Sequence, residues 1–179
     1  IDQIVADGDL DGLLSAAIVR RVWKNIPVRF SHPAEVRRGD VDDLMTRRTA
    51  VLDLPFHTQC GLHIDHHLTN KPTPAQQDAA EALGCHIVWQ DALSAARVCF
   101  NTFHETTDLS DIEAWMEMVD KLDGGKISRE EFLSNHPIVW IGRTIDSTDD
   151  VYCQTLLQHI IDGVSPDDLV NLQPVTEKI

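Results

Sequence analysis

Over the first hundred residues, short apolar runs alternate with stretches of helical periodicity, and three of the runs end on acidic or imidazole side chains. That alternation constrains the fold more than any other feature. Residues 1–6 carry Ile4 and Val5 into an Asp-Gly cluster at 7–12, and Leu13, Leu14, Ala17, Ile18, Arg21 and Val22 then recur at helical spacing. Residues 28–31 read as a second strand, 40–48 as a helix and 49–54 as a strand stopped by Pro55. A strand over 62–64 runs into Asp65-His66-His67. Residues 74–83 form a helix ended by Gly84, 85–89 a strand and 94–103 a helix. The pattern predicts an α/β fold with a mainly parallel β-sheet flanked by helices. From Asp108 it turns helical, with Ile112, Trp115 or Met116, and Val119 ahead of the Gly124-Gly125 stop, then a helix over 151–161 and a start at Ser165-Pro166.

Composition narrows the class. A chain of 179 residues is ample for one well-cored domain and cramped for two, so residues 1–179 read as a single domain. The 42% hydrophobic content excludes a disordered chain, and no apolar run approaches the ~18 residues of a membrane-spanning helix. Twenty-nine acidic against fifteen basic residues give a net charge of −14, which argues against an extended nucleic-acid surface. A local site for a short or small anionic substrate remains open. Cys60, Cys85, Cys99 and Cys153 show no paired spacing and read as reduced thiols of a cytoplasmic protein.

In an open parallel sheet, ligands bind at the carboxyl ends of the strands. Asp7, Asp9 and Asp11 follow the first strand, Asp53 ends the strand over 49–54, and Asp65, His66 and His67 follow the strand over 62–64. Carboxylates converging there repel by about 4 kcal/mol per close pair at 4 Å and an effective dielectric near 20, so cations are needed to neutralise them. Mixed carboxylate and histidine donors suit manganese or magnesium better than zinc.

The set Asp7-Gly8-Asp9-Leu10-Asp11-Gly12, Asp53, Asp65-His66-His67 and Asp120, in that order, resembles the four motifs of the DHH phosphoesterase superfamily, with a RecJ-like first motif. The resemblance implies a phosphohydrolase cleaving a phosphodiester or phosphoanhydride, such as a short oligonucleotide or a cyclic or linear dinucleotide, with exopolyphosphatase-like chemistry also within its range. It implies two Mn2+ ions, with Mg2+ or Co2+ as alternatives, held by Asp9 and Asp7 on one side and Asp11, His66 and Asp120 on the other. Asp53 bridges both, and His67 faces the substrate phosphate. Val5 stands where other branches place a ligand histidine, so Asp7 takes over part of that role.

The family adds a smaller carboxyl-terminal domain with a Gly-rich segment, and residues 124–179 match nothing of it. The chain is therefore expected to be the catalytic domain alone. Arg143, after an apolar run, is a weaker substrate-binding candidate, and a homodimer is compatible with all of this. Two alternatives stand beside the resemblance: a haloacid dehalogenase-type phosphatase with Asp9 as nucleophile, and a degenerate metal-binding domain serving assembly. The calcium-loop pattern at Asp120 to Glu131 is a decoy, since Leu122 and Gly124 occupy two ligand positions.

Overall fold

The computed structural model describes residues 1–179. Five strands, β1 (Gln3–Asp7), β2 (Val28–Ser31), β3 (Thr49–Leu52), β4 (Leu62–Asp65) and β5 (His86–Trp89), form one sheet in the order β2-β1-β3-β4-β5. Every pairing is parallel, which confirms the expected α/β class. The strand order reverses between β1 and β3, and the crevice outside such a reversal is where open α/β sheets bind ligands.

Three longer helices cover one face: α1 (Leu10–Val22), α4 (Ala95–Phe103) and α5 (Glu113–Asp123). The other face carries the short α2 (Pro33–Arg38) and α3 (Pro74–Ala82). The chain finishes with α6 (Arg129–Leu133), α7 (Pro137–Thr144), α8 (Asp150–Ile161), α9 (Pro166–Leu169) and α10 (Gln173–Thr176).

Side chains alternate across each strand, so neighbouring residues enter different cores. Ile4 and Ala6 join the larger core beneath α1, and Val5 between them joins the smaller core with Val36 of α2 and Ala80 of α3. In the larger core Leu13, Leu14 and Ile18 are fully buried, each contributing about 1.5–3 kcal/mol. Helix α1 is apolar almost all round because sheet, α4 and α8 enclose it.

One stretch departs from the sequence expectation. In place of a helix over 40–48 there is a 3-10 turn, Asp42–Leu44, and the helix lies earlier as α2. His32 and Glu35 form a capping box there, and Gly39 at φ 83° stops the helix in a left-handed conformation that favours glycine. Gln3 Nε2 and Thr49 Oγ1 both donate to the Leu44 carbonyl, at 2.6 and 2.7 Å, and hold the following segment as a turn. The apolar run before Gly142 folds as α7, with Pro137 in its first turn.

Candidate metal centre

The first acidic motif is placed by a tight β1-to-α1 turn. A Cβ on Gly12 would sit 2.2 Å from the Asp7 carbonyl oxygen, so any side chain there would push α1 off the strand end. Within that turn Asp7 Oδ1 accepts from the Gly8 amide at 2.7 Å, and Asp9 caps α1 by accepting from the Gly12 amide at 2.9 Å. Asp11 reaches across to α4, where Oδ2 and Oδ1 accept from the Ala95 and Ala96 amides, both at 2.7 Å. The positive end of α4 thus partly compensates a buried carboxylate.

Asp53 follows β3 with φ 58°, a left-handed conformation costing a side-chain-bearing residue about 1–2 kcal/mol. The strain aims its carboxylate into the crevice. Asp53 is only 2% exposed, and its Oδ1 has no hydrogen-bond partner, a burial that costs about 1–3 kcal/mol or more for a charged group. Backbone strain and an orphaned acceptor meet on this one residue, as happens at functional sites.

His66 shows the complementary defect. Its Nδ1 lies 3.0 Å from the Ala92 carbonyl oxygen, to which it can only donate, so in the neutral ring Nε2 carries the free lone pair. That Nε2 lies 3.0 Å from Asp123 Oδ2 and 3.7 Å from both Asp11 Oδ2 and Asp53 Oδ1. None of the three contacts has hydrogen-bond geometry, and Nε2 is buried without a partner. The 3.0 Å approach to Asp123 is therefore a close contact of opposite charges without hydrogen-bond geometry.

His67 and Asp65 are organised differently. Buried Asp65 accepts from His67 Nδ1 at 2.7 Å, from the His66 amide at 2.8 Å and from Asn70 Nδ2 at 2.6 Å. With its lone pairs engaged, Asp65 orients its neighbours. His67 is half exposed, and its Nδ1 also lies 3.6 Å from Asp53 Oδ1.

Proton affinities follow from this crowding. Burial, with Asp9 nearby, lifts Asp7 to about 7. Burial raises Asp9, Asp11 and Asp53 as well, reinforced by Asp123 for the first two and by Asp11 for the third. Burial opposes a charge on His66, yet the Asp123 and Asp11 carboxylates overcome it and raise the imidazole to about 9. The bond to Asp65 raises His67, while Asp65 itself is lowered because His67 and Asn70 outweigh its burial.

One expected ligand, Asp120, is in none of the groupings that could hold a cation. Asp120 lies outside the cluster, because its Oδ2 accepts from Arg97 Nε and Nη2 at 2.9 and 2.6 Å and its Oδ1 from Ser94 at 2.7 Å. Asp123, one turn later, reaches His66 instead. Gly124 permits this close approach, since a Cβ there would lie 2.7 Å from the Leu93 side chain. Three groupings could hold a cation: Asp7, Asp9 and Asp53; Asp11, His66 and Asp123; and Asp53 with Asp65, His66 and His67. Val5 is fully buried in the smaller core, so it adds nothing to them. The calcium-loop decoy dissolves as well, since Glu131 pairs with Lys121 at 2.7 Å.

Cavities open on either side of the cluster. One of about 280 Å³ is lined by Asp9, Asp11 and Asp123 and carries Arg143. The other, of about 310 Å³, is lined by Asp53 and His67 with Arg37 and His32.

No protein-family model matches the chain, and no curated protein does. It is similar to a solved phosphodiesterase. That structure, the pGpG-specific phosphodiesterase PggH from Vibrio cholerae, superposes with a TM-score of 0.75 at 25% identity over 99% of this chain. An uncharacterized protein from Helicobacter pylori G27 shares the fold, with a TM-score of 0.60 at 13% identity over 98% of the chain. The chain spans 58% and 59% of the lengths of these two proteins. No helix is long and apolar enough to cross a membrane.

Proposed function

We propose that this chain is the catalytic domain of a divalent-metal-dependent phosphodiesterase of the DHH type, acting on a linear dinucleotide or short oligonucleotide. One observation carries the reading: Asp53 Oδ1 and His66 Nε2, both buried and both without hydrogen-bond partners, lie 3.7 Å apart among five further aspartates. Carboxylate and imidazole donors without thiolates suit manganese, with magnesium or cobalt as substitutes. The similarity to a pGpG-specific phosphodiesterase supports the substrate class.

In this reading Asp7, Asp9 and Asp53 would hold one cation, and Asp11, His66 and Asp123 a second beside it. Divalent cations held there would supply charge neutralisation, a more acidic water and a countercharge for the phosphoryl oxygens. The chain's own residues supply the rest. Ala92 fixes the His66 tautomer so that Nε2 faces the cluster. Asp65 holds Nδ1 of His67, which leaves Nε2 of a readily protonated ring free to donate to a phosphate oxygen. Asn70 keeps Asp65 in place for that task. An Asp9 nucleophile would leave the whole His66 centre without a role, so the haloacid dehalogenase reading is not favoured.

The test is hydrolysis of pGpG by chelator-treated protein to which Mn2+, Mg2+ or Co2+ is returned. Turnover that requires the metal and is lost in Asp53→Asn is expected. Turnover in chelator, or none with any of the three ions, would overturn the proposal.

A further inference from the structure

A site built for phosphate alone has no use for apolar walls, yet the 280 Å³ cavity beside Asp9, Asp11 and Asp123 has Leu10, Val119, Leu122, Phe132 and Val139 in its lining. Its volume lies just under the ~300–1,000 Å³ typical of pockets for whole drug-sized ligands. It has room for one planar ring system beside the cluster and not for a complete dinucleotide. Phe132, in the lining, is 44% exposed.

Arg143 is the single basic residue of this cavity. Its guanidinium carbon lies 4.6 Å from the Phe132 ring centroid and 4.9 Å from that of Trp140, and Nη2 donates to the Phe132 carbonyl oxygen. Arginine ion pairs elsewhere in the chain are Arg21–Asp111, Arg38–Asp40, Arg48–Asp2 and Arg97–Asp120, and Arg143 enters none of them. An arginine oriented by two aromatic rings and not neutralised by a carboxylate is prepared for a ligand. Its fork matches two acceptors on one base edge. Guanine offers N7 and O6 there, whereas adenine replaces the second acceptor with an amino donor.

We propose that this cavity is a nucleobase subsite in which Arg143 selects guanine on the nucleotide adjoining the scissile phosphate. This rests on the phosphodiesterase reading for its substrate. Two measurements separate the fate of the two ideas. In the first, kcat and KM are compared for pGpG, pApA and the two pGpG analogues that lack one base, using the wild type, Arg143→Met and Arg143→Lys with Mn2+. The expected wild-type preference for pGpG over pApA is roughly tenfold or more, from one bidentate contact. Both variants should collapse that ratio through KM, and the effect should vanish on the analogue lacking the base that occupies the cavity. Lysine keeps the charge and most of the stem, so loss of preference in Arg143→Lys isolates the fork from folding.

In the second measurement GMP and AMP are titrated against tryptophan fluorescence, which Trp140 beside Arg143 makes sensitive to the cavity. GMP should quench more strongly than AMP in the wild type and equally in both variants. A wild type without base preference in either measurement, or variants that lower every substrate by the same factor, would overturn the subsite. Absent hydrolysis together with selective, Arg143-dependent GMP quenching would overturn the phosphodiesterase reading and leave the guanine subsite standing.

Discussion

Asp120 and Asp123 stand three residues apart on one helix and have opposite surroundings. Asp120 is met by a guanidinium and a hydroxyl that compensate its charge within the protein. Asp123 faces a histidine nitrogen and buried Asp11, in a cluster with no lysine or arginine ion pair. The first is a structural ion pair that locks α5 to α4. The second is a crowd of buried carboxylates that share one imidazole and no lysine or arginine. A carboxylate with its own cation stabilises a fold, and several without one mark a place for a ligand.

The largest expected effect separates these two aspartates. Asp123→Asn and Asp53→Asn should each lower Mn2+-dependent pGpG turnover by more than about 100-fold, beyond what loss of an outer partner of a metal ligand costs. Asp120→Asn should leave turnover per folded molecule within a few-fold while lowering unfolding free energy by about 1–3 kcal/mol, as urea denaturation would show. Equal loss of activity in Asp120→Asn and Asp123→Asn would erase the distinction.

Next in size is Asn70→Ala, which frees one oxygen of Asp65 and loosens His67; about a tenfold fall in kcat is expected. An unchanged kcat would remove Asn70 from the positioning of His67.

Metal binding sharpens the comparison through stability. Mn2+ at about 100 times its dissociation constant should stabilise the wild type by about 2.7 kcal/mol, read as a raised Tm. Asp120→Asn should keep that shift, and Asp123→Asn should lose most of it.

The smallest effect is a pH slope in the chelated protein. Asp7 titrates near 7, and Asp9, Asp11 and Asp53 are also raised above their unfolded values. The folded state therefore binds more protons than the unfolded chain, so this part of the stability is complete below pH 4 and is lost as pH rises towards 7. Chelated protein should show a falling contribution over that window, whereas Mn2+ should flatten or reverse it. A cluster stability that rises with pH in chelator would show that the carboxylates are already compensated.

Much of this was legible along the chain. Alternating apolar runs and helical periods announced the parallel sheet, and placing Asp7, Asp53 and Asp65 at strand ends required only that such strands carry ligands at their carboxyl ends. Helix α2 was harder to see, because six residues show too little periodicity and its capping box uses a histidine. The difference between Asp120 and Asp123 was hidden for another reason. Residues three apart share nearly the same helix face, and the partner that claims Asp120, Arg97, lies 23 residues earlier on another helix. The Gly124 stop, which lets the end of α5 approach Leu93 and so the His66 loop, was the available signal.

The sequence by itself therefore determined the fold class, the edge of the sheet where chemistry gathers and the types of donor present there, because periodicity and strand-end placement are local properties. Only the tertiary structure decided which aspartates are compensated and which are left bare, that Asp53 is strained, and that Arg143 lines the cavity beside the aspartates without an ion pair. Charge compensation depends on distances between elements far apart in the chain, and those distances exist only once the helices have docked.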